Sequence, residues 1–208
     1  MADPQWLRWA RALRALAQAG LSYCENPFDL ERYEAIRDIA AEMMVAGTDD
    51  IELAPVQTLF AEQVGYETPK VDVRGVVFQD DKLLLVQELS DGGRWTLPGG
   101  WADVNEPPSL AVEREVWEES GYRTRAVKLL MLYDRSLHGH PPHEFSIYKL
   151  FFLCELLGGE AADSHETSGA AFFAEDAIPE LSTSRLTVEE VVRLFEHHRH
   201  PEWSTDFD

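Results

Sequence analysis

Between Gly99 and Tyr122, four of the five glutamates, an arginine and three glycines are spaced in a way that few backbones can satisfy. The apolar stretch Trp95–Pro98 runs into Gly99-Gly100, a polar segment then carries Glu106, and Arg114-Glu115-Val116-Trp117-Glu118-Glu119-Ser120-Gly121 follows. Ser109 to Ser120 reads as a helix with Gly121 as its stop. Glu115, Glu118 and Glu119 then share one helical face, at i, i+3 and i+4. Like charges at that spacing cost an isolated helix a few tenths of a kcal/mol each, roughly. They also sit in the C-terminal half, where the helix dipole disfavours anions. A solvated acidic face is the ordinary reading of three glutamates. A cluster that works against its own helix, behind two glycines, points instead to binding. Hard cations such as Mg²⁺ take oxygen ligands of this kind, together with substrate phosphate and water. Gly99 would let its carbonyl approach as a further ligand, and Arg114, one turn before Glu118, could fix a glutamate by a bidentate pair.

The rest of the 208-residue chain supports one core with an appendage. Trp6, Trp9, Leu13, Leu16 and Ala17 form an apolar helical stripe with Arg8, Arg11 and Arg14 off it, and Gly20 reads as the stop. A second helix is expected from about Phe28 to Ala46, capped by Asn26 with Pro27 in the first position. From Asp50 to Pro69 the pattern is mixed, and the domain boundary is placed there: 1–66 a helical extension, 67–208 the catalytic domain. Beyond it Val71–Phe78 reads as a strand paired through an Asp80-Asp81 turn with Leu83–Val86. Further strands are expected at Trp95–Leu97, Val127–Tyr133, Ser146–Leu156 and Ala170–Phe173. A last helix starts near Val188, where Thr187 and Glu190 have the form of a capping box. The fold class is therefore α/β (α+β), a mixed sheet with helices behind an N-terminal helical hairpin.

The formal charge of −20 argues against stable duplex nucleic-acid binding, which needs a basic footprint. It would also repel a phosphate-bearing substrate unless divalent cations reverse the local sign. Cys24 and Cys154 lie far apart and outside any metal-ligand spacing, so both read as reduced thiols of a cytoplasmic protein. No apolar run approaches the roughly 18 residues of a membrane span, and the start lacks the basic region of a signal peptide.

Taken whole, the pattern is Gly100, five residues, Glu106, seven residues, Arg114-Glu115, an apolar residue, any residue, Glu118-Glu119, any residue, Gly121, an apolar residue. Seven fixed residue types at about 7% each make a chance match roughly a one-in-10⁸ event, so coincidence is excluded. The pattern resembles the Nudix box, and the resemblance runs from about Lys70 to the C-terminus. It implies a mixed β-sheet sandwiched by helices and Mg²⁺- or Mn²⁺-dependent hydrolysis of a diphosphate. It further implies Glu115, Glu118, Glu119 and the Gly99 carbonyl as metal ligands, Glu106 as a brace for Arg114, and Glu115 as an alternative base. Outside the box, Trp6…Gly20-Leu21…Tyr23, Asp29…Arg32-Tyr33, Thr68–Gly75 and Leu181-Ser182…Arg185 resemble the bacterial CDP-choline pyrophosphatase-like and ADP-ribose pyrophosphatase-like subgroup. That subgroup acts on a nucleoside diphosphate linked to a second group.

Four positions outside the box are further candidates. Glu166 is an extra ligand or base, or an ordinary loop glutamate. His138, in a loop with His140 and His143, is a substrate contact or solvated. Arg74 and Lys149 reach phosphate from strands, or pair with acids on a sheet face. The paired amphipathic helices, the first bearing Trp6 and Trp9, cannot bury their stripes alone, which implies a homodimer. The expected activity releases a nucleoside monophosphate and a phosphorylated partner group from a small nucleotide substrate. The competing readings are a nucleotide-sugar sensor that does not cut, and hydrolysis of RNA ends or nucleoside triphosphates.

Overall fold

A computed structural model describes residues 3–48 and 52–208. Asp50, where the mixed region begins, lies outside the described residues. The chain divides into two compact units: one holds the stretch up to Pro69 with Pro142–Ser146, the other Lys70–Pro141 and Ile147–Asp208.

The first unit is built from α1 (Gln5–Tyr23), α2 (Pro27–Ala46) and α3 (Leu53–Glu62). The Asn26 side chain caps α2 by accepting from Phe28 N at 2.9 Å. Leu7, Ala10, Ala40, Ala41, Met44 and Phe60 form its core. Two expectations are corrected. Gly20 does not stop α1 but lies inside it, where a Cβ would stand 2.4 Å from the Tyr33 ring, so the residue is small to let α2 approach. The apolar stripe is turned: Trp9 and Leu16 face outward, whereas Arg14 is buried over the Phe60 and Phe145 rings and ion-paired with Glu67. Burial pulls the Arg14 guanidinium down to about 10. Helix α3 was not read, because Pro55 interrupts its start; proline is tolerated there since a first-turn N–H has no intrahelical partner.

The second unit holds two four-stranded sheets. In the first, β1 (Lys70–Val76) pairs in parallel with β6 (Ile147–Gly159), β6 antiparallel with β5 (Tyr122–Asp134), and β5 in parallel with β8 (Asp206–Phe207). In the second, β3 (Lys82–Glu88) pairs antiparallel with β2 (Phe78–Gln79), β4 (Arg94–Thr96) and β7 (Thr167–Phe173). The chain thus changes sheet at Val77. Only Phe78 and Gln79 make the expected hairpin with Leu83 and Lys82, turning through Asp80 and Asp81 at positive φ, while β1 pairs with β6 instead. Helix α4 (Pro108–Ser120) buries Ala111, Val112 and Val116 against Val73, Val77 and Leu84. Helix α5 (Val188–Arg199), with its Thr187–Glu190 capping box formed, buries Val191, Leu194 and Phe195 in a cluster with Val76, Leu83 and Phe151. No helix among the described residues is long and apolar enough to cross a membrane.

Candidate active site

The residues between β4 and α4 lie along β1. Val73 N donates to Gly100 O and Gly75 N to Pro98 O, both at 2.8 Å. Gly99, between them, has φ +144°, and a Cβ there would stand 2.0 Å from the Val73 carbonyl oxygen. Only glycine fits so close a backbone crossing. The Gly99 carbonyl takes no part in this pairing, while its amide donates to Glu119 Oε2 at 2.9 Å. A link of 20 residues thereby fastens the loop to the last turn of α4. Gly121, at φ +78°, ends that helix where a Cβ would meet the Glu160 carbonyl at 2.4 Å.

The three glutamates of α4 occupy distinct environments. Glu119 is buried at 7% exposure, and burial pushes its carboxyl up to about 7, against the pull of the nearby Arg74 and the Gly99 amide. Glu115 is half-buried and also raised, again by burial first. Glu118 is the more exposed. Arg114 joins them: its guanidinium lies 2.9 Å from each of Glu106, Glu115 and Glu118, and these carboxylates hold it above the ordinary arginine range. Among the described residues no three acidic or imidazole side chains already converge on one point, because Glu115 and Glu118 turn to Arg114. The donor chemistry nonetheless fits a hard divalent ion: carboxylate oxygens, two of them buried against their charge, beside a free backbone carbonyl.

The candidates outside the box are placed as follows. Arg74 is buried; its Nε lies 3.0 Å from both Asp72 oxygens, and Nη1 donates to Leu97 O at 3.2 Å. It stands within electrostatic reach of Glu119. Lys149 is enclosed: it is 1% exposed, and its ammonium donates to Glu190 at 2.7 and 2.9 Å and to Arg185 O at 2.7 Å, the pairing with an acid that stood beside phosphate contact as its alternative. His138 stacks on Tyr133 with 3.7 Å between centroids, and its Nε2 meets Asp208 at 2.9 Å. Glu166 is exposed, and its carbonyl accepts from Leu89 N at 2.9 Å. The next residue, Thr167, donates its hydroxyl to Glu119 O at 2.6 Å.

Sequence reasoning missed two acids. Asp72 anchors Arg74. Glu88, buried at the end of β3, pairs in register with Thr167 and adds its charge to those that raise Glu119. A glutamate closing the apolar run Leu83–Val86 just before Ser90-Asp91-Gly92-Gly93 was the available signal.

A glycine-crossed loop fastened to an acidic helix, between two small sheets, defines a class. The chain belongs to the Nudix hydrolase family: residues 68–195 match the profile of the NUDIX domain. Residues 4–60 match a profile described as the UDP-X-like, N-terminal oligomerisation domain. Within the family the chain is similar to ADP-ribose pyrophosphatases. A Bacillus subtilis (strain 168) protein provisionally named as one is 42% identical over 98% of this chain and 97% of its own length. The crystal structure of an ADP-ribose pyrophosphatase from Streptococcus suis 89-1591 is 40% identical, with TM-score 0.62, over 68% of this chain and all of that one. The crystal structure of a UDP-X diphosphatase matches the whole length of both chains at 29% identity, with TM-score 0.63. Nudix hydrolases generally use divalent metal ions.

Proposed function

We propose that this hydrolase cuts the pyrophosphate linkage of a nucleoside diphosphate joined to a second group, with ADP-ribose-like and CDP-choline-like molecules as the leading substrates. The observation that carries the reading is the fastening of the buried Glu119 carboxylate to the Gly99 amide at 2.9 Å, which ties the glycine loop to the acidic helix. The names of the relatives support the substrate class. Glu115, Glu118, Glu119 and the Gly99 carbonyl would hold Mg²⁺ or Mn²⁺. A bound divalent ion neutralises the diphosphate and lowers the pKa of water.

The chain's own residues supply the rest. Arg114 keeps Glu115 and Glu118 in place, and Glu106 keeps Arg114. Arg74, fixed by Asp72, sets positive charge beneath Glu119. Glu115 or Glu166 takes the proton from the attacking water. The water oxygen bonds to one phosphorus, the bridging P–O bond breaks, and the bridging oxygen leaves with the other phosphate. The products are a nucleoside monophosphate and a phosphorylated second group.

The test is turnover with Mg²⁺ or Mn²⁺ across ADP-ribose, CDP-choline, UDP-glucose, diadenosine polyphosphates and nucleoside triphosphates. The diphosphate-linked compounds should lead. A triphosphate cut far faster than all of them would overturn the assignment.

A further inference from the structure

A diphosphate must find positive charge in a chain that carries −20. Three basic groups around the box are committed elsewhere. Arg74 is buried on Asp72, Lys149 is enclosed with Glu190, and Arg114 is divided among three glutamates. Arg185 is placed differently. Its side chain is 30% exposed, and it makes one hydrogen bond of ordinary length, to the Ser90 hydroxyl at 3.0 Å; its other contacts are long: the hydroxyls of Ser182 and Ser184 at 3.3 and 3.4 Å, and Glu88 at 3.4 Å. The tight charge-assisted pairs of Arg114 are 2.9 Å long by comparison. The guanidinium of Arg185 thus keeps donor capacity that neutral hydroxyls use only weakly.

It also stands near the site through Glu88, 3.4 Å away. Glu88 is opposite Thr167 across the β3–β7 ladder, and the Thr167 hydroxyl bonds the main chain of Glu119 at 2.6 Å. Arg185 is therefore one carboxylate removed from the glutamate cluster. Its backbone is held from behind. The Arg185 carbonyl accepts from Lys149 Nζ at 2.7 Å, and the Arg185 amide donates to Ser182 O at 2.8 Å. Lys149 is itself pinned by Glu190, which accepts from Thr187 N at 2.9 Å and lies 2.9 Å from His140 Nε2. The buried lysine thus fixes the main chain of an arginine whose side chain is partly exposed.

We propose that Arg185 is the guanidinium that receives a phosphate of the substrate, exchanging its loose serine contacts for a forked pair with phosphate oxygens. The inference rests on the diphosphate reading above, and its test is built so that the two can fail separately. Arg185→Gln and Arg185→Lys are made in the full chain. Each is measured by calorimetric titration with inorganic pyrophosphate in Mg²⁺, by KM and kcat on the best diphosphate of the panel, and by melting temperature. Arg185→Gln should bind pyrophosphate about tenfold to a hundredfold more weakly, the range of a lost charge-assisted hydrogen bond. It should raise KM more than it lowers kcat and leave the melting temperature within a few degrees. Arg185→Lys should recover part of the binding, because it keeps the charge but not the fork. If the wild type cuts no diphosphate while Arg185→Gln still loses pyrophosphate, the activity assignment falls and the arginine's role stands. A wild type that binds no pyrophosphate, or an Arg185→Gln protein that binds it as tightly as wild type, overturns the proposal. Should Arg185→Gln fail to fold, Arg185→Lys alone decides, since binding by it equal to wild type is incompatible with a forked contact.

Discussion

Glu119 meets two opposing demands. The fold buries it at the end of a helix beside Glu115 and Glu88, all of which disfavour its charge, while the metal-ligand role proposed for it needs the charge. In metal-free protein its folded pKa of about 7 lies above the ordinary 4.5. Between those values the folded state holds a proton that the unfolded chain has lost, so this carboxyl costs stability increasingly as pH rises from 4.5 to 7. Glu119→Gln removes the titration. Without metal at pH 8 the variant should be more stable than wild type, by on the order of 3 kcal/mol. The advantage should vanish near pH 4, which chemical denaturation at the two pH values would measure. Activity should fall by roughly two orders of magnitude or more, and the melting shift that Mg²⁺ gives wild type should shrink. Near-normal turnover with an unchanged Mg²⁺ response would return the helix to a merely solvated acidic face.

At the scale of elements, the glycine crossing is as much a part of the site as the glutamates. Gly99→Ala would drive a Cβ to 2.0 Å from the Val73 carbonyl at a φ of +144°. Relieving that clash displaces β1 or the loop, at a cost of about 2–3 kcal/mol in urea denaturation, and activity should fall with it. Gly100 is more tolerant by this measure, since a Cβ there first meets the Glu115 carboxylate at 3.3 Å. A second element-scale prediction concerns the anchor of α5. Lys149→Met leaves Glu190 buried without its ammonium and should cost about 3–5 kcal/mol. Adding Glu190→Gln should recover part of that loss, because the amide oxygen can still accept from Thr187 N. No recovery in the double variant would mean that the ammonium's bond to Arg185 O carries the stability instead.

These elements also mark how far the sequence could be read. Helix α4 and the start of α5 were legible because their signals are local: a glycine stop, an i, i+3, i+4 face, a capping box. The 13-residue strands β5 and β6 were read short, since register shifts near Arg123, Ala126 and Leu129 break the alternation at their paired ends. Strand β8 has two residues and is held largely by distant side chains, such as Arg193 on Asp206 and Thr205 on Leu129 O, which leave no periodicity. The partner of Lys149 was not legible for the same reason. A strand lysine looks alike whether it faces water or a glutamate that the chain supplies 41 residues later.

For the whole molecule, the exposed feature that bears on assembly is a row of apolar side chains on α1. Trp9, Leu16 and Tyr23 are 54%, 65% and 75% exposed, and they follow one another at intervals of seven on the face opposite buried Leu7, Ala10 and Ala17. A seven-residue repeat returns to nearly the same side of a helix and is the seam along which helices pair. The segment lies within the stretch matching an oligomerisation-domain profile, so a second copy of the chain is the proposed occupant. Burying each large side chain contributes roughly 1.5–3 kcal/mol against the cost of association. Two copies at −20 each also repel, and salt screens that repulsion. Sedimentation over a concentration series should therefore show a dimer that tightens between about 20 and 300 mM salt, where the Debye length falls from roughly 20 to 6 Å. Leu16→Glu, which places a charge in the middle of the row without touching the buried face, should sediment as a monomer with its helical circular dichroism intact. A wild type that stays monomeric at every concentration, or a Leu16→Glu protein that dimerises as well as wild type, would show that this face is not the seam.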